Sequence, residues 1–579
     1  MARSDRDGPP SVTLAQVDTL ANPRRAFTHL ATLALAAVFA FIVLAQGIGA
    51  PFQKDAEPQS AEWIQSIVRD SHWLIPADAY GYTDRKPPLF YWLSAAVAKA
   101  SGGTVDEVRA RAISVVAGTA LAVSVLAWTV ANVGTSEGWL AFLLLLGTYG
   151  FASRATEALT DLLLTLLLFT AYSAIYPMLD APAAESHAST RRKILLGVIL
   201  GLGILTKGPI AIVLCALAAS IYLLIERRNP IAILRQRWPW QVVAIAVAIG
   251  AVWYVPAAAV GGHKIVRIIF AENFGHFMPA HLGGTGESYR PFYFIAARLL
   301  GGAFPMTLLI LPAALAFYTG EISVEKRRPV IYQISMSLAV LLFFSIASVK
   351  RDDYILPALP GIAILCASVF ALDVRGAAAK LRDVIVAAFV LAPIVAILYL
   401  AFFRDHAPNV TLQSSDSAYF ALFKSVRWAS PISDLFDVWL IAVTIEGFIL
   451  SRRPRRSALG SGLAFGLTAL VLCLFWTMTM RTRLAEMRSV KSFIPIVADH
   501  VKGDQLCIPN GINYELSYYY GAAVPDLTNP KCVYLLATPR DLDAMTPQYR
   551  ARLKLVANSN LIGGGGPPAL FEISPEAAK

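Results

Sequence analysis

The sequence predicts an all-α polytopic membrane protein with a small α/β domain at its C-terminal end. Of its 579 residues, 56% are hydrophobic and 15% are charged, and the mean hydropathy of +0.56 is typical of membrane chains. Apolar runs long enough to cross a bilayer recur between residues 26 and 480. Lysine and arginine cluster between these runs, so the net charge of +11 indicates membrane topology rather than nucleic-acid binding.

The apolar runs predict about thirteen transmembrane helices of about 20 residues each. They lie near 26–50, 108–132, 138–153, 159–179, 195–206, 208–225, 240–260, 292–317, 330–349, 355–372, 384–403, 435–451 and 459–480. With residues 1–25 in the cytoplasm, every strong basic cluster falls on the cytoplasmic side. An odd number of crossings then places residues 481–579 in the periplasm.

Three further elements are expected on the periplasmic side. The first loop, 51–107, contains "QSAEWIQSIVRD" and "PLFYWLSAAVAKA", which are too short to span but suit amphipathic helices at the membrane surface. After the transmembrane domain, 26–480, the segment 481–579 offers "DQLCIPN", "ELSYYYG" and "CVYLLAT" as strands and "PRDLDAMTPQYRARL" as a helix. The pair Cys507 and Cys532 lies in this segment, and whether it forms a disulfide stays open.

Charged side chains in the first loop are candidate functional groups, because a charge beside hydrocarbon costs about 2.5–3.5 kcal/mol. Asp55 and Glu57 follow the first span directly; they are either a solvated exit loop or carboxylates whose partial desolvation suits them to accept a proton. Lys86 precedes two prolines, which bias its backbone to an extended form. It either snorkels to lipid headgroups or is a positioned cation.

Two more charges lie at or within apolar runs. Asp161, in "ALTDLLLT", is either a helix N-cap or a functional acid. Lys207, in "LTKGP", has long uncharged stretches on both sides and a helix break after it, so a partner is expected. The segment "SVKRDDYILPALPG" adds Lys350, Arg351 and Tyr354, for which surface salt bridging is the alternative role.

These motifs, in this order, resemble the GT-C membrane glycosyltransferases. The segments that carry the resemblance are the acidic pair after the first span, "KPPLFYWL", "ALTDLLLT", "LTKGP", "ENFGHF" and "KRDDYILPALP", spread over about residues 26 to 372. The greatest likeness is to the aminoarabinose transferases of lipid A, with the protein O-mannosyltransferases as wider relatives. The resemblance implies inverting transfer of a sugar from a polyprenyl-phosphate donor to an acceptor hydroxyl on the periplasmic side.

The resemblance also implies roles for individual residues. Asp55 matches the general base or acceptor-orienting acid, and Asp161 matches a second acid of the site. Donor phosphate and lipid would contact Lys86, Lys207, Arg351, Tyr354 and, beside the tail, Tyr91; Glu57, Asp84, Lys350 and His263 are additional candidates. Two departures are Arg85, where the family often has Glu, and Asp-Ala-Glu in place of the common Asp-Glu.

The mechanism follows from leaving-group chemistry. A lipid phosphate departs readily once its developing charge is neutralised, so positioned cations suffice without a nucleotide or a covalent intermediate. We therefore expect no cofactor and no metal site, with a divalent cation as the alternative. The expected partners are a polyprenyl-phosphate sugar donor, a glycolipid or glycan acceptor such as lipid A, and the lipid bilayer of the bacterial inner membrane, with the chain a monomer that binds no nucleic acid.

The sequence leaves two other functions to be distinguished. A transporter or flippase for a lipid-linked anionic sugar would also use cations, although such folds commonly show internal repeats and midplane sites, and no repeat is apparent here. A non-catalytic scaffold for envelope assembly is the second rival. The identities of the donor sugar and the acceptor also stay open.

Overall fold

The computed structural model describes residues 23–52, 56–83, 86–180, 189–275, 290–371, 374–403, 457–561 and 566–574, and these ranges are mostly helical. The first part of the chain contains α1 (Pro23–Leu44), α2 (Ala56–Asp70), α3 (Leu89–Ala100), α4 (Glu107–Asn132), α5 (Thr135–Leu146), α6 (Tyr149–Ala155) and α7 (Asp161–Asp180). The helices α2 and α3 are the two short helices predicted in the first loop.

The middle of the chain continues the helical bundle. It contains α8 (Thr190–Lys207), α9 (Ile210–Ile225), α10 (Ile231–Leu234), α11 (Arg237–Phe274), α12 (Phe294–Gly302), α13 (Thr307–Tyr318), α14 (Val324–Ile346), a 3-10 helix (Asp352–Ala358), α15 (Leu359–Ser368) and α16 (Gly376–Phe403). Beyond residue 456 it contains α17 (Ser457–Phe475), a π-helical turn (Trp476–Arg481) and α18 (Thr482–Arg488).

Membrane-spanning helices can be counted only within the described residues. There, 5 helices are long and apolar enough to cross a bilayer: α4, α7, α11, α14 and the continuous stretch Ala458–Arg488. The pair α12 and α13, bent by 102°, would make a sixth if it is one span. The total of thirteen stays a prediction, and its member at 435–451 lies outside the described residues.

Close helix packing in the bundle depends on small residues. Gly197 and Gly201, one turn apart on α8, face Ile245 and Ile249 of α11, where an added Cβ would lie only 2.7 Å from the nearest isoleucine carbon at each position. Small side chains let two membrane helices approach until their backbones nearly touch. This packing fixes the C-terminal end of α8, where Lys207 lies.

The C-terminal part forms an α/β unit, as the sequence predicts. After a 3-10 turn (Val490–Ser492) it contains α19 (Ile494–His500), β1 (Leu506–Cys507), α20 (Tyr514–Tyr520), β2 (Tyr534–Ala537), α21 (Pro539–Asp543), α22 (Pro547–Arg550), β3 (Leu553–Asn558) and β4 (Ala569–Ile573). The sheet order is β1-β2-β4-β3; β1 and β2 are parallel, and β4 is antiparallel to both of its neighbours. Cys507 and Cys532 form a disulfide.

Two secondary-structure predictions in this unit are wrong. The segment "PRDLDAMTPQYRARL" is not one helix, because it contains the separate helices α21 and α22 and its last residue begins β3. The segment "ELSYYYG" lies in α20 and is not a strand. Asn513 caps this helix by accepting a hydrogen bond from the Leu516 amide, and Gly521 ends it in the left-handed conformation, at φ 84°. Tyrosine favours a strand only when it packs on a sheet, so the neighbouring residues and the two helix caps determine that this segment is a helix.

Candidate active site

A cavity of about 310 Å³ brings four of the predicted site residues together: Lys86, Asp161, Lys207 and Tyr354. We call it the lysine cavity. It lies among the first turn of α7, the break between α8 and α9, the C-terminal ends of α11 and α14, and the 3-10 helix. The motifs that the sequence spreads over some 270 positions therefore meet at one place.

Lys207 lies at the centre of the polar part of this cavity. Its ammonium group donates a hydrogen bond to Oδ1 of Asp161, and its Nζ is 3.9 Å from Oδ2 of Asp353. The ring of Tyr354 lies on another side, with its centroid 5.1 Å from Nζ. Two carboxylates and an aromatic face thus fix the lysine in position, which satisfies the expectation that it has partners.

The helix break after Lys207 is required by close packing. Gly208 has φ +83°, and a Cβ there would lie 2.1 Å from Oδ1 of Asn273 on α11. Only glycine tolerates both the left-handed backbone and this contact. Pro209 is the N-cap of α9, so the chain turns between the two helices and Lys207 lines the cavity.

The acid that sequence reasoning left out of the site is Asp353. It is buried at the start of the 3-10 helix, and its Oδ1 accepts a hydrogen bond from Nε of Arg351 at 3.3 Å. Burial alone would raise the pKa of Asp353, but the cations Lys207, Arg351, Arg154 and Lys86 outweigh burial and lower it. Asp353 is therefore an ionised carboxylate held among cations.

Apart from Glu272 and Asn273, the remaining wall of the lysine cavity is apolar. Leu164, Ile210, Val213, Leu214, Phe343 and Phe344 line it. Tyr354 stacks on Phe344, with ring centroids 4.3 Å apart, and joins this wall to the charged end. A ligand that fits must carry charge at one end and hydrocarbon along its side.

Several predicted residues lie elsewhere. Lys350 is buried and donates to the backbone carbonyls of Arg290 and Ala347. Tyr91 is buried with its ring 5.5 Å from that of Trp63, and His263 is exposed on α11. Asp55 and Asp84, with Arg85, lie outside the described residues.

Glu57 belongs to a buried frame around the first loop. Its carboxylate accepts two hydrogen bonds from Arg111, at 2.9 and 3.2 Å, and one from the Ala158 amide at 2.9 Å. Arg111, 1% exposed, also donates to backbone carbonyls of residues 48, 50 and 51. The frame ties the residues before Asp55 to the loop that leads into Asp161.

The C-terminal unit docks on the same loop. The Phe52 amide donates to the hydroxyl of Tyr519 at 3.0 Å, and that hydroxyl donates to Oε1 of Glu107 at 2.7 Å. Glu62 on α2 accepts hydrogen bonds from the Ser517 hydroxyl and the Ala79 amide. Burial raises the pKa of Glu62 to about 7, although these hydrogen bonds oppose the shift.

Next to the lysine cavity lies a second cavity of about 480 Å³, which we call the arginine cavity. The side chains that set its charge are Arg154, Arg298, Arg481, Arg488, Glu157 and Asp352. Sequence reasoning assigned none of them to a site. In the sequence these residues are visible only as charges at the edges of apolar runs, a position that is also typical of helix ends in any membrane protein.

Among the described residues, no group of three or more His, Cys, Asp or Glu side chains could hold a metal ion.

Comparison with known proteins supports the resemblance to GT-C enzymes. A family model for dolichyl-phosphate-mannose-protein mannosyltransferases matches residues 85–255. The chain is 25% identical over 354 residues to the undecaprenyl phosphate-alpha-4-amino-4-deoxy-L-arabinose arabinosyl transferase of Shewanella sediminis, covering 61% of this chain and 62% of that protein. The enzyme of the same name from Enterobacter sp. is 29% identical over 324 residues, which is 54% of each chain.

A solved structure decides the fold. ArnT from Cupriavidus metallidurans bound to undecaprenyl phosphate superimposes with a TM-score of 0.68 over 96% of this chain and 99% of that one, at 17% identity. The chain has the GT-C fold. The predicted resemblance to the aminoarabinose transferases is confirmed, and this GT-C chain spans about three-fifths of the Shewanella relative. Its apolar helices and these relatives indicate a multi-pass protein of the bacterial inner membrane.

Proposed function

We propose that this GT-C protein is an inverting glycosyltransferase that moves a sugar from a polyprenyl-phosphate donor to a hydroxyl of a periplasmic acceptor, with lipid A or another envelope glycolipid as the acceptor. The observation that carries the proposal is the lysine cavity, where Lys86 and Lys207 meet an apolar wall. An isoprenoid phosphate has the same division into an anion and a hydrocarbon chain. The relatives named above act on undecaprenyl phosphate carrying a sugar.

In the proposed reaction, the acceptor oxygen attacks the anomeric carbon from the face opposite the phosphate. The new carbon–oxygen bond forms as the bond between the anomeric carbon and the phosphate oxygen breaks, and its electron pair leaves with the polyprenyl phosphate. Lys86 and Lys207 stabilise the charge that develops on the phosphate. The acceptor proton passes to a carboxylate, for which Asp55 stays the predicted base.

The carboxylates around Lys207 have a positioning role in this scheme. Asp161 and Asp353 contact its ammonium group from two sides, so the cation is in place before the donor binds. A pre-positioned charge stabilises a transition state without reorganisation during the reaction. Tyr354 would contact the first isoprene units of the lipid together with Phe344, on which its ring stacks.

We propose that the reaction needs no organic cofactor. Measuring sugar transfer with and without a chelator tests the divalent-cation alternative.

The disulfide supports the proposed orientation. Cys507 and Cys532 are joined in the C-terminal unit, and such bonds form and persist on the oxidising side of the bacterial inner membrane. The unit contacts the first loop through Tyr519 and Phe52, so both belong to the same side. We propose that this side is the periplasm and that the protein acts as a monomer, which light scattering of the purified protein tests.

The test is transfer by purified protein in lipid vesicles. Undecaprenyl phosphate carrying 4-amino-4-deoxy-L-arabinose and lipid A are supplied, and mass spectrometry measures addition of one sugar. Lys207→Ala and Asp161→Asn should lose transfer, whereas Lys264→Ala, at an exposed lysine of α11, should keep it. Full transfer by Lys207→Ala would refute the role of the lysine cavity.

Lipid analysis of a deletion strain separates the rival functions. A transferase leaves an envelope glycolipid without one defined sugar. A flippase instead leaves its lipid-linked sugar trapped in the inner leaflet, and a scaffold gives neither result cleanly. The same spectra identify the donor sugar and the acceptor.

A further inference from the structure

A third cavity lies toward the end of the helical bundle away from the lysine cavity. Its volume is about 260 Å³, and we call it the α10 cavity because Ile231, Ile233 and Leu234 of α10 line it. The end of α7, the start of α8, one face of α9 and the first turns of α11 complete the lining. Leu179, a lining residue, is about 27 Å along α7 from Asp161 of the lysine cavity, so the two cavities are centred at different depths in the bundle.

The helix α9 separates the α10 cavity from the lysine cavity. Val213 and Leu214 line the lysine cavity, whereas Ile212, Ala219 and Leu223 line the α10 cavity. At about 3.6 residues per turn, these two sets lie on nearly opposite faces of α9. From Ile212 to Leu223 the α10 cavity extends about 16 Å along the helix, which is about half of a hydrocarbon layer of about 30 Å. Its length therefore matches the acyl chains of one leaflet.

The lining of the α10 cavity is suited to hydrocarbon. It consists of aliphatic side chains, alanines and prolines, together with Cys215, Ser220 and Trp238. The Ser220 hydroxyl donates to the Ala216 carbonyl at 2.8 Å, and the indole N–H of Trp238 donates to Oε1 of Gln236 at 2.7 Å. Both polar groups thus have partners within the protein, and the cavity offers a ligand apolar contacts.

Four arginines flank the end of the cavity that α10 forms. All four are exposed, and each lies within three positions of a residue that lines the cavity: Arg227, Arg228, Arg235 and Arg237. The one acid between residues 226 and 238 is Glu226, and its Oε2 is 3.4 Å from Nε of Arg328 on α14. Within the described residues, none of the four arginines forms an ion pair with an acid. Their charge therefore attracts an anion to this end of the cavity.

Arg227 occupies a backbone position that glycine usually fills. Its φ is 56°, in the left-handed region. The Arg227 amide donates to the Leu224 carbonyl at 3.0 Å, and the Arg228 amide donates to the Leu223 carbonyl at 2.7 Å. This pair of hydrogen bonds ends a helix at a left-handed residue, which is most often glycine because a Cβ is disfavoured there. An arginine at this position costs stability, which favours a role for its guanidinium group.

The surface around these arginines has the composition of a membrane interface. Ile231 and Leu234 on α10 and Trp240 on α11 are 59%, 54% and 57% exposed. The indole N–H of Trp240 donates to the Leu234 carbonyl at 2.8 Å. Tryptophan and arginine next to exposed aliphatic side chains are typical of the level of the lipid headgroups. The arginines therefore lie at the depth of lipid phosphates, and the cavity lies at the depth of the attached chains.

We propose that the α10 cavity binds an acyl chain of an anionic phospholipid whose headgroup contacts the arginines that flank the cavity. Basic residues between membrane helices bind anionic headgroups in this way. In the orientation proposed above, this end of the bundle is cytoplasmic, so the lipid belongs to the inner leaflet. The site goes beyond the proposed transfer reaction, because its lipid is neither the sugar donor nor the acceptor.

Two lipids that differ only in their headgroup test the selection by charge. Full-length protein in detergent is titrated with phosphatidylglycerol or with phosphatidylethanolamine of the same acyl chains, and native mass spectrometry measures the bound lipid. We expect phosphatidylglycerol to bind at least about tenfold more tightly, because each arginine near a lipid surface contributes about fivefold. Equal affinities for the two lipids would overturn the proposal.

Arginine variants locate the headgroup. In Arg227→Gln/Arg235→Gln, the preference for phosphatidylglycerol should fall by about tenfold or more. Arg375→Gln, at an exposed arginine before α16 that lines none of the three cavities, is the matched control. An unchanged preference in the double variant would refute the assignment of the headgroup.

Arg227→Gly separates the guanidinium group from the backbone. It should raise the melting temperature of the lipid-free protein, because glycine suits a φ of 56°, and yet weaken phosphatidylglycerol binding by about fivefold. A purely structural role for this residue would move only the melting temperature. Native affinity in this variant would therefore remove Arg227 from the site and contradict the proposal.

A variant that fills the cavity locates the acyl chain. Ala216→Phe adds a ring to the lining and should weaken phosphatidylglycerol binding by about tenfold or more. Leu224→Phe, at a side chain of α9 that is 62% exposed and outside the lining, should bind normally. The melting temperature without lipid shows whether Ala216→Phe is folded, and Ser220→Leu on the same face replaces it if it is not. Native binding by the folded variant would place the lipid on the outer surface and sink the proposal.

Competition separates this lipid from the sugar donor. Undecaprenyl phosphate should leave phosphatidylglycerol bound, because the lysine cavity lies on the other face of α9. Displacement at equal concentration would make the α10 cavity part of the donor site and overturn the proposal. Failure of the proposed function is recognised separately: vesicles that contain donor and acceptor then show no sugar transfer, while the preference for phosphatidylglycerol persists.

Discussion

Removing the Glu57 carboxylate tests whether this residue is structural or chemical. In Glu57→Ala, the guanidinium of Arg111 stays buried without the acid that accepts two of its hydrogen bonds, and the Ala158 amide loses its acceptor. Removing one partner of a buried ion pair costs about 3–5 kcal/mol. We therefore expect a clear fall in the melting temperature of the detergent-solubilised protein, together with loss of transfer.

The double variant Glu57→Ala/Arg111→Met makes the reasoning quantitative. It removes both charges, so no unpaired guanidinium remains. The loss of unfolding free energy in the double variant should therefore be about 2 kcal/mol smaller than the sum of the losses in the two single variants. Recovery is incomplete because Arg111 also holds three backbone carbonyls of residues 48–51. Chemical unfolding of the four proteins gives the coupling energy, with Glu486→Ala, an exposed glutamate on α18, as the control.

The conservative variant Glu57→Gln decides between the two roles. If the frame is structural, stability and turnover fall together, and turnover recovers in part when the protein is assayed at lower temperature. A Glu57→Gln protein that melts like the native one but has no turnover would falsify the structural role and assign chemistry to this acid.

Three further predictions concern the rest of the site. Because the pKa of Glu62 is raised to about 7, folding favours its neutral form, and the stability of the protein falls as pH rises from about 4.5 to 7. In Glu62→Gln, whose side chain can still accept the hydrogen bond from Ser517, the melting temperature should depend less on pH over this range. An unchanged pH dependence in the variant would contradict this prediction. Gly208→Ala should lower undecaprenyl phosphate binding, because the backbone conformation of residue 208, at φ 83° and ψ −164°, costs a residue with a Cβ about 1–3 kcal/mol. Gly301→Ala, with nothing within 4 Å of its new Cβ, should bind normally. Cys507→Ser opens a disulfide between residues 25 apart in sequence, and the C-terminal unit should lose about 3.5 kcal/mol in denaturant unfolding; equal stability of native and variant protein under oxidising conditions would count against it.

Part of the lysine cavity could be predicted from sequence, because three of its charges, Lys86, Asp161 and Lys207, are conspicuous there. Lys207 interrupts a long apolar stretch and is followed by a helix break, so both its need for partners and its place at a helix end were visible. Lys86 is indicated by the two prolines that follow it, whereas Tyr354 is assigned through the family resemblance. The structure brings these residues and Asp161 to one cavity.

The partners of these residues could not be predicted, because they depend on how distant helices pack. Asp353 stands beside Asp352 in the sequence, yet one faces each cavity, and only the 3-10 geometry separates them. Arg111 and Arg481 resembled ordinary charges at the ends of spans. The segment of α20 is predicted as a strand because its tyrosines suit a strand as well as a helix. The contacts that favour the helix join residues far apart in sequence, such as the hydrogen bond from Phe52 to Tyr519, which are 467 residues apart.

The frame around Glu57 also sets an order of assembly during synthesis. Glu57 is made 54 residues before Arg111 and 101 before Ala158, and Phe52 is made 467 before Tyr519. A chain that emerges N-terminus first therefore completes this loop only after its C-terminal unit has been synthesised. A polypeptide that ends at residue 488 should accordingly leave the segment around residue 52 open to added protease, whereas the full-length chain protects it.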